Sequence, residues 1–246
     1  MSGIIVVAGR KPVLEALRSG VKVEAVTFQK GIKGELLNEI RETAGRLKIP
    51  ITELENKKFS DFTRGHEPTQ GVAARVHAFR TLPLHEIIKL SGGKNKLLLA
   101  LDSVQDPHNF GAIIRSAECA GVDGIITTKH SSAPLNMTVF KTSAGAAVHI
   151  PVCEVSNLTD AIKECKEAGF WSVGLALEEK PKVQKIDYTL PLLIIVGNEE
   201  KGLRRLVKQN CDFILTIPMM GNIESLNVSV ATGVALFNAL RERGVW

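Results

Sequence analysis

The sequence predicts an α/β fold in two parts, a small N-terminal α/β domain and a larger C-terminal domain with a mostly parallel sheet. From Lys96 onward, apolar runs such as LLLALD, LLIIV and FILTI alternate with helical patterns. Strands that are apolar at nearly every position are typical of parallel sheets covered on both faces. Before Phe79 strand-like and helical segments also alternate, and the positive charge is concentrated there. A chain of 246 residues has room for two such domains.

The order of the predicted elements divides the chain into 1–78, a connector at 79–96 with a short helical run, and 97–246. In the first domain we expect a helix from Pro12, a helix over 35–48, and strands at 25–28, 51–53 and 71–77. In the second domain strands are predicted at 97–102, 124–127, 150–153, 171–176, 192–196 and 213–217. Helices are predicted near 109–120, 136–147, 157–168, 202–210 and 227–243.

The charge is divided unevenly between the two parts. Residues up to Arg80 hold 14 Lys and Arg against 9 Asp and Glu, and the rest of the chain holds 17 of each, so the net charge of +5 lies in the first third. This asymmetry predicts that the N-terminal part captures a polyanion. A well-solvated basic surface without a ligand is the alternative, and charge alone does not separate the two.

Cysteine, histidine and hydropathy patterns argue against several classes of protein. The four cysteines, Cys119, Cys153, Cys165 and Cys211, form no Cys-x-x-Cys pair, and with six scattered histidines they lack metal-ligand spacing. We therefore expect no metal, and reduced thiols in a cytoplasmic protein. No stretch approaches the roughly 18 consecutive apolar residues of a membrane span. The N-terminus also lacks a signal-peptide pattern, so no membrane partner is expected.

The second domain lacks the common fingerprints of nucleotide-binding and hydrolytic enzymes. Its first strand is followed by SVQDPHNFGAIIRSA, whose single glycine rules out a Gly-x-Gly-x-x-Gly dinucleotide loop. Walker, Gly-x-Ser-x-Gly and His-Glu-x-x-His patterns are absent as well. Any ligand of this domain must bind in another way.

The first of three polar segments runs from Asp102 to Ala117. Its pattern predicts a strand end, a turn and a helix that Asn109 could cap. Arg115 lies in an otherwise apolar part of that helix and needs a partner. On these residues alone, a structural salt bridge is the simplest interpretation of Arg115.

The other two segments also follow buried strands. Glu199 comes shortly after Gly197, at the kind of strand end where open α/β sheets bind ligands. A carboxylate just before a helix also commonly interacts with the positive end of the helix dipole, which is the alternative interpretation. In the third segment, Ser225 or Asn227 could cap the final helix. The polar cluster GNIESLN is longer than a cap requires.

Together, DPHNFGAIIRSA, VGNEEKGL and IPMMGNIESLNVSVATG resemble the three motifs, in order, of the SpoU/TrmH (SPOUT) family of RNA 2′-O-ribose methyltransferases. The stretches GRKPVLEAL and EPTQGVAARV are similar to the accessory RNA-binding domain of the RlmB-type members. That resemblance implies an N-terminal domain like a ribosomal-protein fold and a C-terminal SPOUT domain with a deep trefoil knot around 197–227. It also implies a homodimer that acts on ribosomal RNA.

The resemblance further implies the activity and the site. The expected reaction moves a methyl group from S-adenosylmethionine to the 2′-hydroxyl of a ribose, of guanosine in 23S ribosomal RNA. A transfer-RNA or drug-resistance ribosomal RNA methyltransferase, or a non-catalytic RNA-binding or ribosome-assembly protein, is the alternative. The cofactor positions carried over from the family are Gly197, Asn198, Ile217, Met219 and Leu226. The catalytic positions are Arg115, Asn109, Glu199, Ser225 and Asn227.

The resemblance leaves two roles open for Arg115. A guanidinium with a pKa above about 12 is a poor general base at neutral pH, so we favour a grip on a phosphate and stabilisation of the developing alkoxide. In that role Glu199 and Asn109 would hold Arg115 in place. General base catalysis by the arginine is the other possibility.

Overall fold

The computed structural model describes residues 2–18, 21–64, 68–91, 96–177 and 186–245. The chain divides into two compact units, an N-terminal unit of residues 2–79 and a C-terminal unit that begins at residue 80. The N-terminal unit contains four strands and three helices in the described residues. They are β1 (Ser2–Ala8), α1 (Arg10–Arg18), β2 (Val23–Gln29), α2 (Glu35–Arg46), β3 (Ile51–Leu54), α3 (Asn56–Phe62) and β4 (Val72–Thr81).

The sheet of the N-terminal unit is mixed. β2 pairs parallel with β3 and antiparallel with β4, and β1 also pairs with β4. One face of α2 buries Leu37 and Ile40, as its 3.6-residue spacing predicts. The strand β1 and the helix α3 were not predicted. α3 buries a single residue, Phe59, so its sequence carries no helical periodicity.

The C-terminal unit is built on parallel strands in the order β10-β8-β9-β5-β6-β7. Their bounds are Leu97–Leu101 (β5), Gly124–Thr128 (β6), Pro151–Val155 (β7), Trp171–Leu175 (β8), Leu192–Val196 (β9) and Phe213–Leu215 (β10). All residues of β5 and β9 are buried, which confirms that their unbroken apolar runs belong to the middle of a covered parallel sheet.

The helices of this unit are α4 (Leu84–Leu90), α5 (Pro107–Cys119), α6 (Met137–Thr142), α7 (Leu158–Glu167), α8 (Arg205–Asn210) and α9 (Val228–Glu242). α4 lies in the expected connector, yet its Leu84 and Ile87 are buried in the hydrophobic core of the unit. The end of β4 also belongs here, because Arg80 and Thr81 pair with β7. Residues 80–91 are therefore part of the C-terminal unit, while 92–95 lie outside the described residues. No described helix has the length and apolarity to cross a membrane.

A polar cluster fixes the outer edge of this sheet. One oxygen of Asp212 accepts hydrogen bonds from the Ser172 backbone nitrogen at 2.9 Å and hydroxyl at 2.7 Å. The other carboxylate oxygen lies 2.6 Å from the Lys166 ammonium. Burial alone would raise the pKa of Asp212, but the hydrogen bonds from Lys166 and Ser172 outweigh it and lower the pKa below the ordinary 3.8.

We expect Asp212→Asn to cost about 1–3 kcal/mol of unfolding free energy at neutral pH, because hydrogen bonds to a charged acceptor are lost. The pKa is lower in the folded than in the unfolded protein, so this stabilisation is present above about pH 4 and disappears as pH falls through the folded pKa. Urea unfolding from pH 7 to pH 3 measures it. The exposed Asp160→Asn is the control, with an expected change below about 0.5 kcal/mol. A cost for Asp212→Asn that does not shrink with acidity would contradict this account.

Candidate active site

The candidate site lies where the strand order of the C-terminal unit reverses. Within the sheet, β6 and β7 follow β5 in one direction. The strands β9, β8 and β10 lie in the opposite direction from β5. Open α/β sheets bind ligands at the carboxyl ends of the strands beside such a reversal. At that edge the ends of β5 and β9 carry Ser103 and Glu199 on neighbouring loops.

A pocket of about 280 Å³ opens at this edge. Seven of the residues that the sequence proposed for the site line it: Gly197, Asn198, Glu199, Ile217, Met219, Ser225 and Leu226. Sequence reasoning missed the end of β8, from Leu175 to Leu177, which also lines the pocket. Its position was a usable signal, because β8 pairs parallel with β9 and both strands end at the same edge.

A chain of hydrogen bonds joins all three polar segments beside the pocket. The Asn109 amide donates from Nδ2 to Oε1 of Glu199 at 3.2 Å. Asn109 Oδ1 in turn accepts from Nδ2 of Asn227 at 2.9 Å. Asn227 Oδ1 caps α9 by accepting from the Ser229 backbone nitrogen at 2.8 Å. Residues about a hundred positions apart in the chain are thus locked together, and Glu199 is held by amides rather than by a cation.

The expected cap of α5 is wrong. Asp106 caps that helix, since its Oδ1 accepts from the His108 nitrogen at 2.8 Å and Pro107 occupies the first turn. Asn109 lies inside the first turn instead. Its side chain is consequently free to bridge Glu199 and Asn227.

Asn198 organises the loop after β9. Its Nδ2 donates to the Ser103 carbonyl at 2.9 Å and to Glu199 Oε2 at 3.2 Å. Its Oδ1 accepts from the backbone nitrogens of Glu200 and Lys201, both at 3.1 Å. Ser103 has a left-handed φ of 67°, and strained backbone of this kind tends to occur at functional sites.

The loop returns on itself immediately after Gly197. Asn198 and Gly202 exchange two backbone hydrogen bonds of 3.0 Å. A Cβ on Gly197 would lie 2.2 Å from the Gly202 carbonyl carbon and 2.4 Å from the Leu203 nitrogen. Only glycine permits this approach, so Gly197 is required for the sharp turn of the chain at the pocket.

A second anchor of this loop also escaped the sequence analysis. Asp102 is completely buried at the end of β5 and accepts from the Arg204 backbone nitrogen at 2.8 Å and Nε at 2.6 Å. The sequence signal was a carboxylate directly after a buried strand. Because Arg204 precedes α8, this pair fixes the far end of the 197–204 loop.

Arg115 and Ser225 stand apart from this network. Both side chains belong to exposed residues, and neither forms a hydrogen bond or ion pair with any residue that the structure describes. The structural salt bridge expected for Arg115 is therefore absent from the described chain. Glu199 and Asn109 bond each other and do not hold Arg115. An exposed guanidinium without a described partner is available for an external anion.

The composition of the pocket lining is that of a small-molecule site. Apolar side chains such as Leu175, Ile217 and Met219 share the lining with Asn198 and Glu199, a composition typical of pockets for compact ligands with a few polar groups. Among the described residues, no group of three or more His, Cys, Asp or Glu is arranged to hold a metal ion. Burial raises the pKa of the Cys211 thiol to about 12, so this thiol stays protonated.

Comparison with known proteins places both parts of the chain. The model of the SpoU rRNA Methylase family matches residues 96–237. The model named RNA 2′-O ribose methyltransferase substrate binding matches residues 6–82. Both matches include segments whose structure is described above.

Relatives and solved structures extend along nearly the whole chain. A Staphylococcus saprophyticus protein that carries a TrmH family tRNA/rRNA methyltransferase name is 38% identical over 241 residues, which are 97% of this chain and 96% of that protein. A Sinorhizobium meliloti rRNA methyltransferase with bound AdoMet is 28% identical, with a TM-score of 0.67 over 97% of this chain and 87% of that one. The Streptomyces viridochromogenes SpoU methyltransferase AviRb with AdoMet is 25% identical, with a TM-score of 0.68 over 99% and 92%.

The strand order and the matches to known proteins indicate the same fold. The pocket lies where the strand order reverses, as is usual for ligand sites of open α/β sheets. The α/β fold with a parallel sheet is confirmed, and the two solved neighbours are an rRNA methyltransferase and a SpoU methyltransferase. The chain belongs to the SpoU rRNA methylase family.

Proposed function

We propose that this protein transfers a methyl group from S-adenosylmethionine to the 2′-hydroxyl of one ribose in ribosomal RNA. Membership of the family makes the chain an S-adenosylmethionine-dependent RNA methyltransferase. The observation that supports the finer proposal is the convergence of all three motif segments at one pocket, through Asn109, Glu199 and Asn227. The substrate-binding match at 6–82 supports a ribose hydroxyl as the acceptor.

The pocket suits the cofactor chemically. Leu175, Ile217 and Met219 offer apolar surface for an adenine ring. Carboxylates of Glu199 and Glu224 suit a cationic ligand, and Gly197 and Gly202 add surface without side chains to the lining. When bound, S-adenosylmethionine supplies an activated methyl group on a sulfonium. Gly197, Asn198, Ile217, Met219 and Leu226 are the residues that we propose hold it.

The residues of the chain must then orient and activate the ribose hydroxyl. The exposed guanidinium of Arg115 can bind a phosphate beside the target and stabilise developing negative charge on the oxygen. Glu199 has both oxygens engaged by amides of Asn109 and Asn198. We therefore assign Glu199, Asn109 and Asn227 to shaping the reaction site. Ser225 is exposed at the pocket and can contact the substrate directly.

Calorimetry with S-adenosylmethionine in excess chelator tests the cofactor assignment. We expect saturable binding that is unchanged by the chelator, because the residues that the structure describes form no cluster that could hold a metal ion. No binding heat and no thermal shift at millimolar cofactor would contradict the assignment. It would leave a non-catalytic RNA-binding protein as the better explanation.

Ribosomal RNA is our proposed acceptor, and transfer RNA is the second candidate. The family model and the Sinorhizobium structure are both named for rRNA, while the Staphylococcus relative is named for tRNA and rRNA together. The basic N-terminal domain, with 14 Lys and Arg against 9 Asp and Glu up to Arg80, suits a large polyanion. A competition between deproteinised 23S ribosomal RNA and bulk transfer RNA decides between them. Guanosine as the target and the knot remain predictions of the resemblance, and the cytoplasm as the location remains a prediction from the cysteine pattern.

We also propose a homodimer formed through the C-terminal unit. Val230, Val234 and Phe237 form an exposed stripe on α9, with 51%, 45% and 38% of their surface accessible. The opposite side of α9 already buries Leu236 and Leu240, so the helix has more apolar surface than one chain covers. The neighbouring segment adds Met220 and Ile223, also exposed.

Sedimentation at micromolar concentration should show twice the mass of one 246-residue chain. Val234→Asp should shift the protein to monomers, since a charge in an apolar interface is left unpaired. Leu90→Asp, at an equally exposed leucine on α4, should leave the dimer intact. An active wild-type monomer would refute the homodimer.

A further inference from the structure

The N-terminal unit holds a pocket of its own, of about 900 Å³. Its lining includes Arg10 and Lys11 at the start of α1, Gln29 at the end of β2, and Gln70 just before β4. Ile32 and Leu36 contribute apolar surface. We call it the N-terminal pocket. Its mixed charged, amide and apolar lining is unlike that of a plain solvated surface.

The charge at this pocket is uncompensated. Elsewhere in the described part of the unit, four arginines pair with acids, namely Arg18–Glu39, Arg41–Glu53, Arg64–Asp61 and Arg75–Glu24, and Arg46 donates to the Thr43 hydroxyl instead. Neither Arg10 nor Lys11 forms an ion pair with any residue that the structure describes. Among the described residues, the Arg10 side chain bonds only to Gln70, whose carbonyl accepts from Nε at 3.3 Å. Its two terminal nitrogens make no bond to that part of the chain and suit an anion of planar, bidentate geometry such as a phosphate.

The amides of the pocket are oriented by strained backbone. Gln70 adopts a left-handed φ of 49°, followed by Gly71 at 77°. This conformation lets Gln70 Oε1 accept from the Arg10 backbone nitrogen at 3.0 Å. Gln70 Nε2 and Gln29 Oε1 then have no partner among the described residues, which leaves one donor and one acceptor at the pocket. A nucleobase edge presents the complementary groups.

The apolar surface supplies the remaining element of nucleotide recognition. Ile32 and Leu36 are each partly exposed on the lining. Ile32 is fixed by close packing on Gly71, where an added Cβ would lie 1.9 Å from Ile32 Cδ1. Apolar side chains in a fixed position give the flat face of an unstacked base a surface to rest on.

We propose that the N-terminal pocket binds one unpaired nucleotide of the substrate RNA. Its phosphate lies on Arg10 and Lys11, its base edge on Gln29 and Gln70, and its base face on Ile32 and Leu36. Sequence-specific recognition of RNA targets unstacked bases in loops and bulges, because the edges of paired bases are poorly accessible. The pocket thus selects a loop in the RNA. This inference rests on the proposed function in so far as RNA is the substrate.

The test uses the full chain and a single-stranded RNA of about 12 nucleotides carrying one 4-thiouridine, with a blunt duplex of the same sequence as competitor. Lys11→Ala, at an exposed residue with no described bond, should weaken binding of the single strand about tenfold, and Arg10→Ala at least as much. Lys22→Ala, at the opposite end of β2, is the matched control and should change affinity less than twofold. The duplex should compete at least tenfold more weakly. The photocrosslink should map to residues 29–36 or 69–71.

Equal loss in Lys22→Ala, equal competition by the duplex, or a crosslink elsewhere would overturn the inference. A measurement of methyl transfer distinguishes failure of this inference from failure of the proposed function. If the wild type methylates ribosomal RNA and both pocket variants keep its KM, the inference fails and the function stands. If the wild type binds and crosslinks RNA as expected but transfers no methyl group, the function fails and the pocket stands.

Discussion

Arg115→Ala should lower kcat for methyl transfer roughly a hundred- to a thousandfold, the usual cost of removing a group that stabilises developing charge. The Arg115 side chain is exposed on α5 and forms no hydrogen bond or ion pair with any described residue, so its loss leaves no unsatisfied partner behind. Cofactor affinity should stay within about threefold, because Arg115 does not line the pocket that we propose for the cofactor. Single-turnover kinetics and calorimetry on one preparation measure the two quantities.

Two further variants sharpen this result. Arg115→Lys should also have a low kcat, since an ammonium does not reproduce the planar, bidentate hydrogen bonding of a guanidinium. Lys163→Ala removes a comparable exposed cation from α7, where it pairs with Asp160, and should retain full turnover. Near-native turnover in Arg115→Ala would remove this residue from the mechanism.

Gly197→Ala should abolish cofactor binding, a loss of more than about thirtyfold in affinity. The added Cβ would lie within 2.4 Å of three backbone atoms of Gly202 and Leu203, and backbone of this kind cannot rotate away as a side chain can. The 197–204 loop must move, and with it Asn198 and Glu199. Overpacking of this kind also costs about 1–3 kcal/mol of stability, so the protein should remain folded and its unfolding midpoint should fall.

Gly45→Ala is the matched control for this substitution. An added Cβ there meets nothing within 4 Å and φ is not positive, since Gly45 lies on α2. Cofactor affinity should be unchanged. Tight binding by Gly197→Ala would show that the loop adapts without losing the pocket.

Much of the fold could be predicted from the sequence because the signals were local. The buried strands β5 and β9 consist of unbroken apolar runs. Asn227 was one of two predicted caps of α9, and it is the residue that caps it. Membership of the family followed from three short segments whose order and spacing are visible in the sequence.

What could not be predicted depends on contacts between distant segments. The sequence shows Asn109 beside a helix start, and only the fold places Glu199 and Asn227 against its side chain. Asp102 and Arg204 are 102 positions apart, and nothing local links them. The helix α4 looked like part of a connector because a seven-residue amphipathic segment cannot show by itself which core buries Leu84 and Ile87.

Ribose methylation is best tested by transfer of a labelled methyl group from S-adenosylmethionine to deproteinised 23S ribosomal RNA in excess chelator. Nuclease digestion and mass spectrometry then locate the label. We expect one methylated nucleotide per RNA, with the methyl group on the ribose 2′ oxygen, and an initial rate at least about a hundredfold lower with Arg115→Ala. Label on a base instead of a ribose, or no transfer to any RNA, would contradict it.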